Sequence, residues 1–372
     1  MNGLSVWCPS APAFKLDWVG LDAEFDWIRA LEACPQDSIY HAEGNVWIHT
    51  RMVCEALLAN PRWRALPDAD RQTVFLAALM HDIAKPACTR EEDGRLTSRG
   101  HSKRGEIMAR EILWRHDVPF AQRESLVNLI RFHQIPFFLL ERSDSQRVLF
   151  ELSQTTRCDW LALVADADAR GRLCADQQRL LDNIALFAQY AEEQGCLRAP
   201  RRFASAHSRF QYFQKPARDA GYAAFDDTVC EVIVMSGIPG VGKSHWIATQ
   251  APDWPVVSLD DLRREMKVLP TENQGVIIQR ARELAREHLR RQESFIWNAT
   301  SLSREHRAHL ISLCTAYRAR IRIVYIEVAA AQQEAQNNAR ESRVPPAAIQ
   351  RMLEHWEVPD LTEAHQVDYL VS

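Results

Sequence analysis

The densest chemistry in the sequence lies between Glu231 and Ser244, EVIVMSGIPGVGKS, where Gly237 and Gly242-Lys243-Ser244 match the spacing G-x4-G-K-[ST] without departure. Gly237, Gly240 and Gly242 let the backbone curl so that successive N–H groups converge on phosphate oxygens at the start of a helix. Lys243 then reaches the β- and γ-phosphates, and the Ser244 hydroxyl can ligate Mg²⁺. The apolar run upstream supplies the buried strand that such a loop needs, and this separates it from an ordinary glycine-rich turn. The implied ligands are ATP or another nucleoside triphosphate, with Mg²⁺.

A second constellation precedes it. His49, the pair His81-Asp82, His101, His133 and an aspartate at 166 or 168 each fall at or near the end of a predicted helix. Imidazole with carboxylate suits Mn, Fe, Co, Ni or Zn better than Ca or Mg. One such histidine is usually a satisfied core or surface residue, but the whole set in this order points to a metal centre. A divalent ion there would activate water and polarise a phosphoryl oxygen for in-line attack. Lys85, Lys103 and Arg104 are candidates to clamp the non-bridging oxygens, set against the alternative of solvated surface cations.

A third group follows the phosphate loop. In Ser258-Leu259-Asp260-Asp261-Leu262-Arg263 a carboxylate stands just beyond a second strand, at the sheet edge where a triphosphate would sit, so Asp260 can orient or deprotonate an incoming hydroxyl. Arg263, one turn onward, suits an acceptor phosphate. Helix capping by Asp260 with a solvated arginine is the plainer alternative.

These residues need elements to hold them. Residues 1–40 read as a lead-in strand or loop and then a helix with Phe25, Ile28 and Leu31 at helical spacing. HAEGNVWIHTRMVCEALL predicts a loop and a helix, RQTVFLAALMHDIAKP a helix that runs into His81-Asp82 and stops at Pro86, and TREEDGRLTS a hairpin around Asp93-Gly94. Further helices begin at His101, end near His133, and carry Asp159, Asp166 and Asp168. The expected architecture is two-domain: an all-α N-terminal domain with a small hairpin over 1–194, and an α/β nucleotide-binding domain with a parallel sheet over 229–372. Its strands are expected at 231–236, 255–258, 294–298 and 321–327, and in VDYLV near the end.

Between them, 195–228 interleaves Arg198, Arg201, Arg202, Arg209, Lys215 and Arg218 with Phe203, Phe210, Tyr212 and Phe213. A surface for single-stranded nucleic acid is one reading. The favoured one is a connector whose rings pack on either domain.

The 372 residues suffice for two or three full cores, and a net charge of -4 excludes a protein coated in positive charge. The nine cysteines are scattered without a C-x-x-C pair, which fits a reducing cytoplasm better than a disulfide framework. No basic leader or long apolar run suggests export or a membrane.

The order His…His-Asp…His…His…Asp resembles the HD-domain metal-dependent phosphohydrolases. HAEGNVWIHT, ALMHDIAKP, GHSKRG and DADARGR are similar to the HD domains appended to bacterial tRNA nucleotidyltransferases, over roughly 40–172. The resemblance puts His49, His81, Asp82 and Asp168 on one metal and His101 and His133 at a second. It prefers Asp168 to Asp166 because Asp168 opens the ending D-x-x-G-R, and it makes His41 a substrate-pocket residue, with capping as the alternative.

In the second half, G-x4-G-K-S, S-x-D-D-x-R, WNATSLSREHR and NNARESRVP resemble the 5′-hydroxyl polynucleotide kinases of RNA repair, over 231 to about 356. That resemblance makes Asp260 the general base, Arg263 the holder of the acceptor phosphate and Arg340 a lid on the β/γ-phosphates, and it sets Asn298, Thr300 and Arg304 near the nucleotide. His245-Trp246 departs from the family's Thr-Trp.

Together the halves resemble bacterial fusions of an HD domain with a polynucleotide kinase, which implies healing of RNA or DNA ends: ATP-dependent phosphorylation of a 5′-OH and metal-dependent opening of a 2′,3′-cyclic phosphate, upstream of an RNA ligase. A small-metabolite or nucleoside kinase beside an HD nucleotidase is the competing enzyme reading, which a closed acceptor site would favour. An ATP-gated RNA-binding module is the third, which tight ATP binding without turnover would favour.

Overall fold

The computed structural model describes residues 7–269 and 271–372. The first six positions of the expected lead-in lie outside them; after an irregular stretch over 8–17 the lead-in forms two short helices, Trp18–Glu24 and Asp26–Glu32, which bury Leu21, Ile28 and Leu31. The chain divides into two compact units, one up to Arg201 and one from Arg202.

The first unit is helical apart from one hairpin, β1 (Arg90–Glu92) with β2 (Arg95–Thr97). The helices that position chemistry are α1 (Val46–Ala59), α2 (Asp68–Met80), α3 (His101–Arg115), α4 (Phe120–Phe132) and α5 (Cys158–Arg170). α5 is central, buried at Cys158 and from Trp160 to Ala169, as its near-continuous apolar sequence requires. Asn45 starts α1 by accepting the Ile48 N–H at 2.8 Å. α2 stops at Met80, before His81-Asp82, so the pair lies on a turn. Pro86 does not terminate that helix as expected. It sits in the first turn of a further short helix, Lys85–Cys88, where its missing N–H is tolerated.

Two tight contacts fix the helices. The Arg110 guanidinium of α3, fully buried, donates to Glu106 (2.7 Å) and to Glu124 of α4 (3.0 Å). Where α5 meets α1, a Cβ on Gly171 would stand 2.5 Å from Val53 Cγ2 and 2.8 Å from Val53 N, so only glycine permits this approach.

The second unit is α/β, with a five-stranded parallel sheet ordered β4-β5-β3-β6-β7: β3 (Cys230–Ser236), β4 (Val256–Ser258), β5 (Phe295–Asn298), β6 (Ala319–Glu327) and β7 (Gln366–Val371). β3 is central and apolar from Val232 to Met235, as a parallel strand covered on both faces must be. The connecting helices include α6 (Ala206–Gln214), α7 (Lys243–Gln250), α8 (Leu259–Met266), α9 (Arg304–Ala316) and α10 (Ala330–Asn338).

The 195–228 segment is divided between the units. In the first, the Arg201 N–H donates to Ser153 Oγ at 3.0 Å. In the second, α6 buries Phe210 and Tyr212, and Arg209 donates to the carbonyls of Leu361 (2.9 Å) and His365 (2.8 Å), so part of the basic, aromatic run belongs to a core. Tyr222 and Phe225 remain exposed. No helix among the described residues is long and apolar enough to cross a membrane.

Candidate active sites

The histidine cluster is built from helix ends. His81 and His133 directly follow α2 and α4, His101 opens α3, and His49 lies one turn into α1. In each ring Nδ1 faces a backbone carbonyl: Gly171 at 3.1 Å for His49, Ala78 at 2.7 Å for His81, Ser98 at 2.8 Å for His101 and Ile130 at 2.7 Å for His133. A carbonyl only accepts, so Nδ1 donates and Nε2 of the neutral ring carries a lone pair. Those Nε2 atoms meet in pairs, His49 with His81 at 3.3 Å and His101 with His133 at 3.4 Å. Two lone pairs so close repel unless a proton or a metal cation lies between them, an arrangement that suits a metal site.

Asp82, 2% exposed, stands between the pairs. Its Oδ2 lies 3.1 Å from His81 Nε2 and 3.7 Å from His49 Nε2; its Oδ1 lies 3.3 Å from His101 Nε2 and 3.9 Å from His133 Nε2. Neither oxygen receives a well-directed hydrogen bond, although Lys85 Nζ is 2.8 Å from Oδ2 as a counter-ion. An orphaned buried carboxylate among four imidazoles fits a divalent metal of the transition series. Asp168 completes the His49 side, its Oδ1 3.1 Å from Nε2, and Arg172 holds both its oxygens at 2.9 and 2.7 Å. Asp166 turns away to Arg170 and Asn60. Lys85 is not a free clamp for substrate: it is buried, paired with Asp82 and donating to Gln36 at 2.6 Å. Lys103 and Arg104 lie exposed on the first turn of α3.

Protonation follows from these neighbours. Burial would raise the Asp82 and Asp168 carboxyls, but His81 and Lys85 for the first, and Arg172 and His49 for the second, hold them well below the carboxylate range. Burial lowers His49, yet the carboxylates of Asp168 and Glu43 overcome it and raise its proton affinity. Burial, with the adjacent His81 and His101, pushes His133 down to about 3 and leaves it neutral. Glu43 was invisible to the motif reading. It bridges His41 Nδ1 (2.8 Å) and His49 Nδ1 (2.9 Å), so His41 is tied to His49 through a carboxylate and does not cap α1. An acid two residues after His41 was the available signal.

In the second unit the phosphate loop leaves β3 through Gly237, Gly240 and Gly242, at φ +142°, +92° and +96°. A Cβ on Gly237 would meet the Ile326 carbonyl at 2.4 Å, and the Gly237 N–H donates to the Thr300 carbonyl at 2.9 Å. Thr300 thus braces the loop through its backbone. Lys243 opens α7 and donates to the carbonyls of Gly237 (2.7 Å) and Ile238 (3.0 Å), while Ser244 is exposed beside it. Burial pulls Lys243 down to about 8, with Asp260 opposing and Arg340 adding to the fall, so both groups act electrostatically on the loop lysine.

Ser258, not Asp260, caps α8, its Oγ accepting the Asp261 N–H at 3.2 Å. Asp260 is therefore free of a capping role; it pairs with Arg263, which also donates to Gln274 at 2.6 Å. Arg340 lies exposed after α10, and Asn298 closes β5. Arg304, expected beside the nucleotide, directs its guanidinium to Asp360 (2.9 Å) and Thr362 (2.5 Å). Arg307, which sequence reading passed over, is fully buried: it pairs with Glu363 at 2.8 Å and donates to the carbonyls of Ser301, Leu302 and Glu357, holding the loop after β5.

Comparison with known proteins agrees with both halves. A family model described as the HD domain matches residues 45–170, and one described as an AAA domain matches 232–359. Multifunctional CCA proteins are similar: that of Xanthomonas oryzae pv. oryzae (strain MAFF 311018) is 32% identical over 170 residues, covering 43% of this chain and 38% of the relative. That of Pasteurella multocida (strain Pm70) is 28% identical over 163 residues, covering 42% and 37%. The chain thus spans little more than a third of the length of these relatives. A solved structure from Chloroflexus aurantiacus, described as a candidate kinase, is 15% identical with a TM-score of 0.33, over 39% of this chain and 86% of that one. By its family matches, its sheet and its histidine cluster, the chain is an HD domain followed by a P-loop domain of the AAA kind.

Proposed function

We propose that the chain heals broken RNA ends, phosphorylating the 5′-OH with ATP in one unit and hydrolysing the 2′,3′-cyclic phosphate in the other. The observation that carries this reading is the pairing, in one polypeptide, of a cation-seeking histidine centre with a phosphate loop whose lysine senses an exposed carboxylate, Asp260. Ribonuclease-type cleavage leaves these two ends, and a ligase needs both converted, so the partners are RNA ends and an RNA ligase acting afterwards in the cytoplasm.

In the kinase, backbone N–H groups of the loop receive the phosphates and Lys243 moves from its own carbonyls to the β/γ-oxygens, with Arg340 closing over them. Ser244 is placed to hold Mg²⁺. Asp260 accepts the proton of the 5′-OH as that oxygen bonds to the γ-phosphorus and ADP departs; Arg263 receives the acceptor strand's phosphate. In the hydrolase, His49, His81, Asp82 and Asp168 would hold one divalent ion, and His101 and His133 a second with Asp82. Such ions, when bound, supply Lewis acidity toward water and a phosphoryl oxygen. Arg172 keeps Asp168 ionised, the carbonyls fix each imidazole tautomer, and Glu43 orients His41 toward the substrate side.

With labelled ATP and a 5′-OH RNA oligonucleotide, label is expected to transfer, and Lys243→Ala to abolish transfer; no transfer by the parent protein rejects the kinase half. With Mn²⁺ or Ni²⁺, a 2′,3′-cyclic phosphate is expected to open, and Asp82→Ala to stop it. Equal opening by that variant rejects the hydrolase half.

A further inference from the structure

The second unit contains a cavity of about 580 Å³ that neither chemistry uses. It is framed by α6, the chain that follows it, the end of α9, Arg318-Ala319 at the start of β6, and His365 just before β7. The strands therefore present their N-terminal ends to it, whereas the phosphate loop leaves the C-terminal end of β3. The seven residues of β3 separate the two places by roughly 20 Å.

The lining combines three kinds of group. Lys215, Arg218 and Arg318 are cations at its wall, against one carboxylate, Asp227. Tyr222 and Phe225 offer rings 50% and 85% exposed, and Arg218 lies over the Tyr222 ring at 4.5 Å. An exposed phenylalanine and a guanidinium-stacked tyrosine lining one cavity are costly in water and useful against a flat ligand.

The polar groups are specific. The Ile321 N–H donates to His365 Nδ1 at 3.0 Å, and burial leaves His365 neutral, so its Nε2–H donates to His207 Nδ1 at 3.1 Å. His207, 4% exposed, must then carry its hydrogen on Nε2. The Asp227 carboxylate is 3.9 Å from that atom, beyond hydrogen-bond length. Gln211, also in the lining, has a buried Oε1 with no hydrogen-bond partner. One donor and one acceptor are thus set beside two rings and a surplus of positive charge.

We propose that this cavity is a second nucleotide-unit site, taking a base against its exposed rings, with its edge on His207 and Gln211 and its phosphate on the arginines. A free nucleotide and one residue of a single strand share that chemistry.

The test irradiates the full chain with 4-thiouridine monophosphate and, separately, with a 4-thiouridine RNA, and maps attachment by mass spectrometry, which separates this cavity from the phosphate loop. Attachment within 207–228 is expected, with affinity about tenfold weaker in Phe225→Ala and in Arg318→Gln, both exposed positions that folding tolerates. Attachment by the mononucleotide identifies a free nucleotide as the ligand; attachment by the RNA alone identifies a strand. Attachment only elsewhere, unchanged affinity in both variants, or displacement of the probe by an equal concentration of inorganic phosphate overturns the proposal.

Discussion

Lys243 donates to the carbonyls of its own loop, in surroundings that disfavour its charge. Burial lowers its pKa to about 8, Asp260 opposing and Arg340 assisting. The protonated form is the one that binds phosphate, so it is complete below that value and lost as pH rises through it. kcat/KM for ATP, which reports the free enzyme, is expected to fall above about pH 8. The kcat profile should hold to higher pH, since bound triphosphate raises the lysine again. Matched profiles in kcat and kcat/KM would contradict this. At the same scale, the types and order of His49, His81, Asp82, His101, His133 and Asp168 were legible in the sequence. The carbonyls of Ala78, Ser98, Ile130 and Gly171 that fix each ring were not, because a backbone acceptor has no letter of its own.

Among elements, the junction of α5 with α1 carries the sharpest steric demand. Gly171→Ala places a Cβ against the Val53 backbone and is expected to cost about 1–3 kcal/mol in urea unfolding of the first unit. It also displaces the carbonyl that orients His49, so metal content should fall with stability. In the second unit, Arg307→Ala leaves Glu363 buried without its partner and is expected to cost about 3–5 kcal/mol; a cost below about 1 kcal/mol would show the pair to be dispensable. The β3 strand, the phosphate loop, the hairpin around Asp93-Gly94 and the helix start at His101 were readable, because turn chemistry and apolar periodicity are local. The early end of α2 was not, since His81 and Asp82 continue a helical pattern and leave it only to face groups far along the chain. Nor was the division of 195–228, where Phe210 is core and Phe225 is surface although both are phenylalanines in one basic run.

At the scale of the molecule, the histidine cluster and the phosphate loop lie in different compact units. Hydrogen exchange read by peptide should therefore separate their ligands. A chelator is expected to loosen the helices around Asp82 and leave β3 and β6 protected, while ATP with Mg²⁺ at about 100 times its Kd adds roughly 2.7 kcal/mol to the opening of the sheet unit alone. Uniform changes across both would contradict that assignment. The position of Asp82 between the two histidine pairs carries a thermodynamic consequence. A carboxylate whose two oxygens face different histidine pairs cannot be oriented for one without being oriented for the other. On the proposed two-ion reading, the first ion to bind would remove the rotational freedom of that side chain and so favour the second, while repulsion between like charges would disfavour it. The balance is a coupling free energy, and reciprocity makes it the same whichever position fills first. Metal titration of this protein should therefore depart from two independent sites, and Asp82→Asn should alter both steps together.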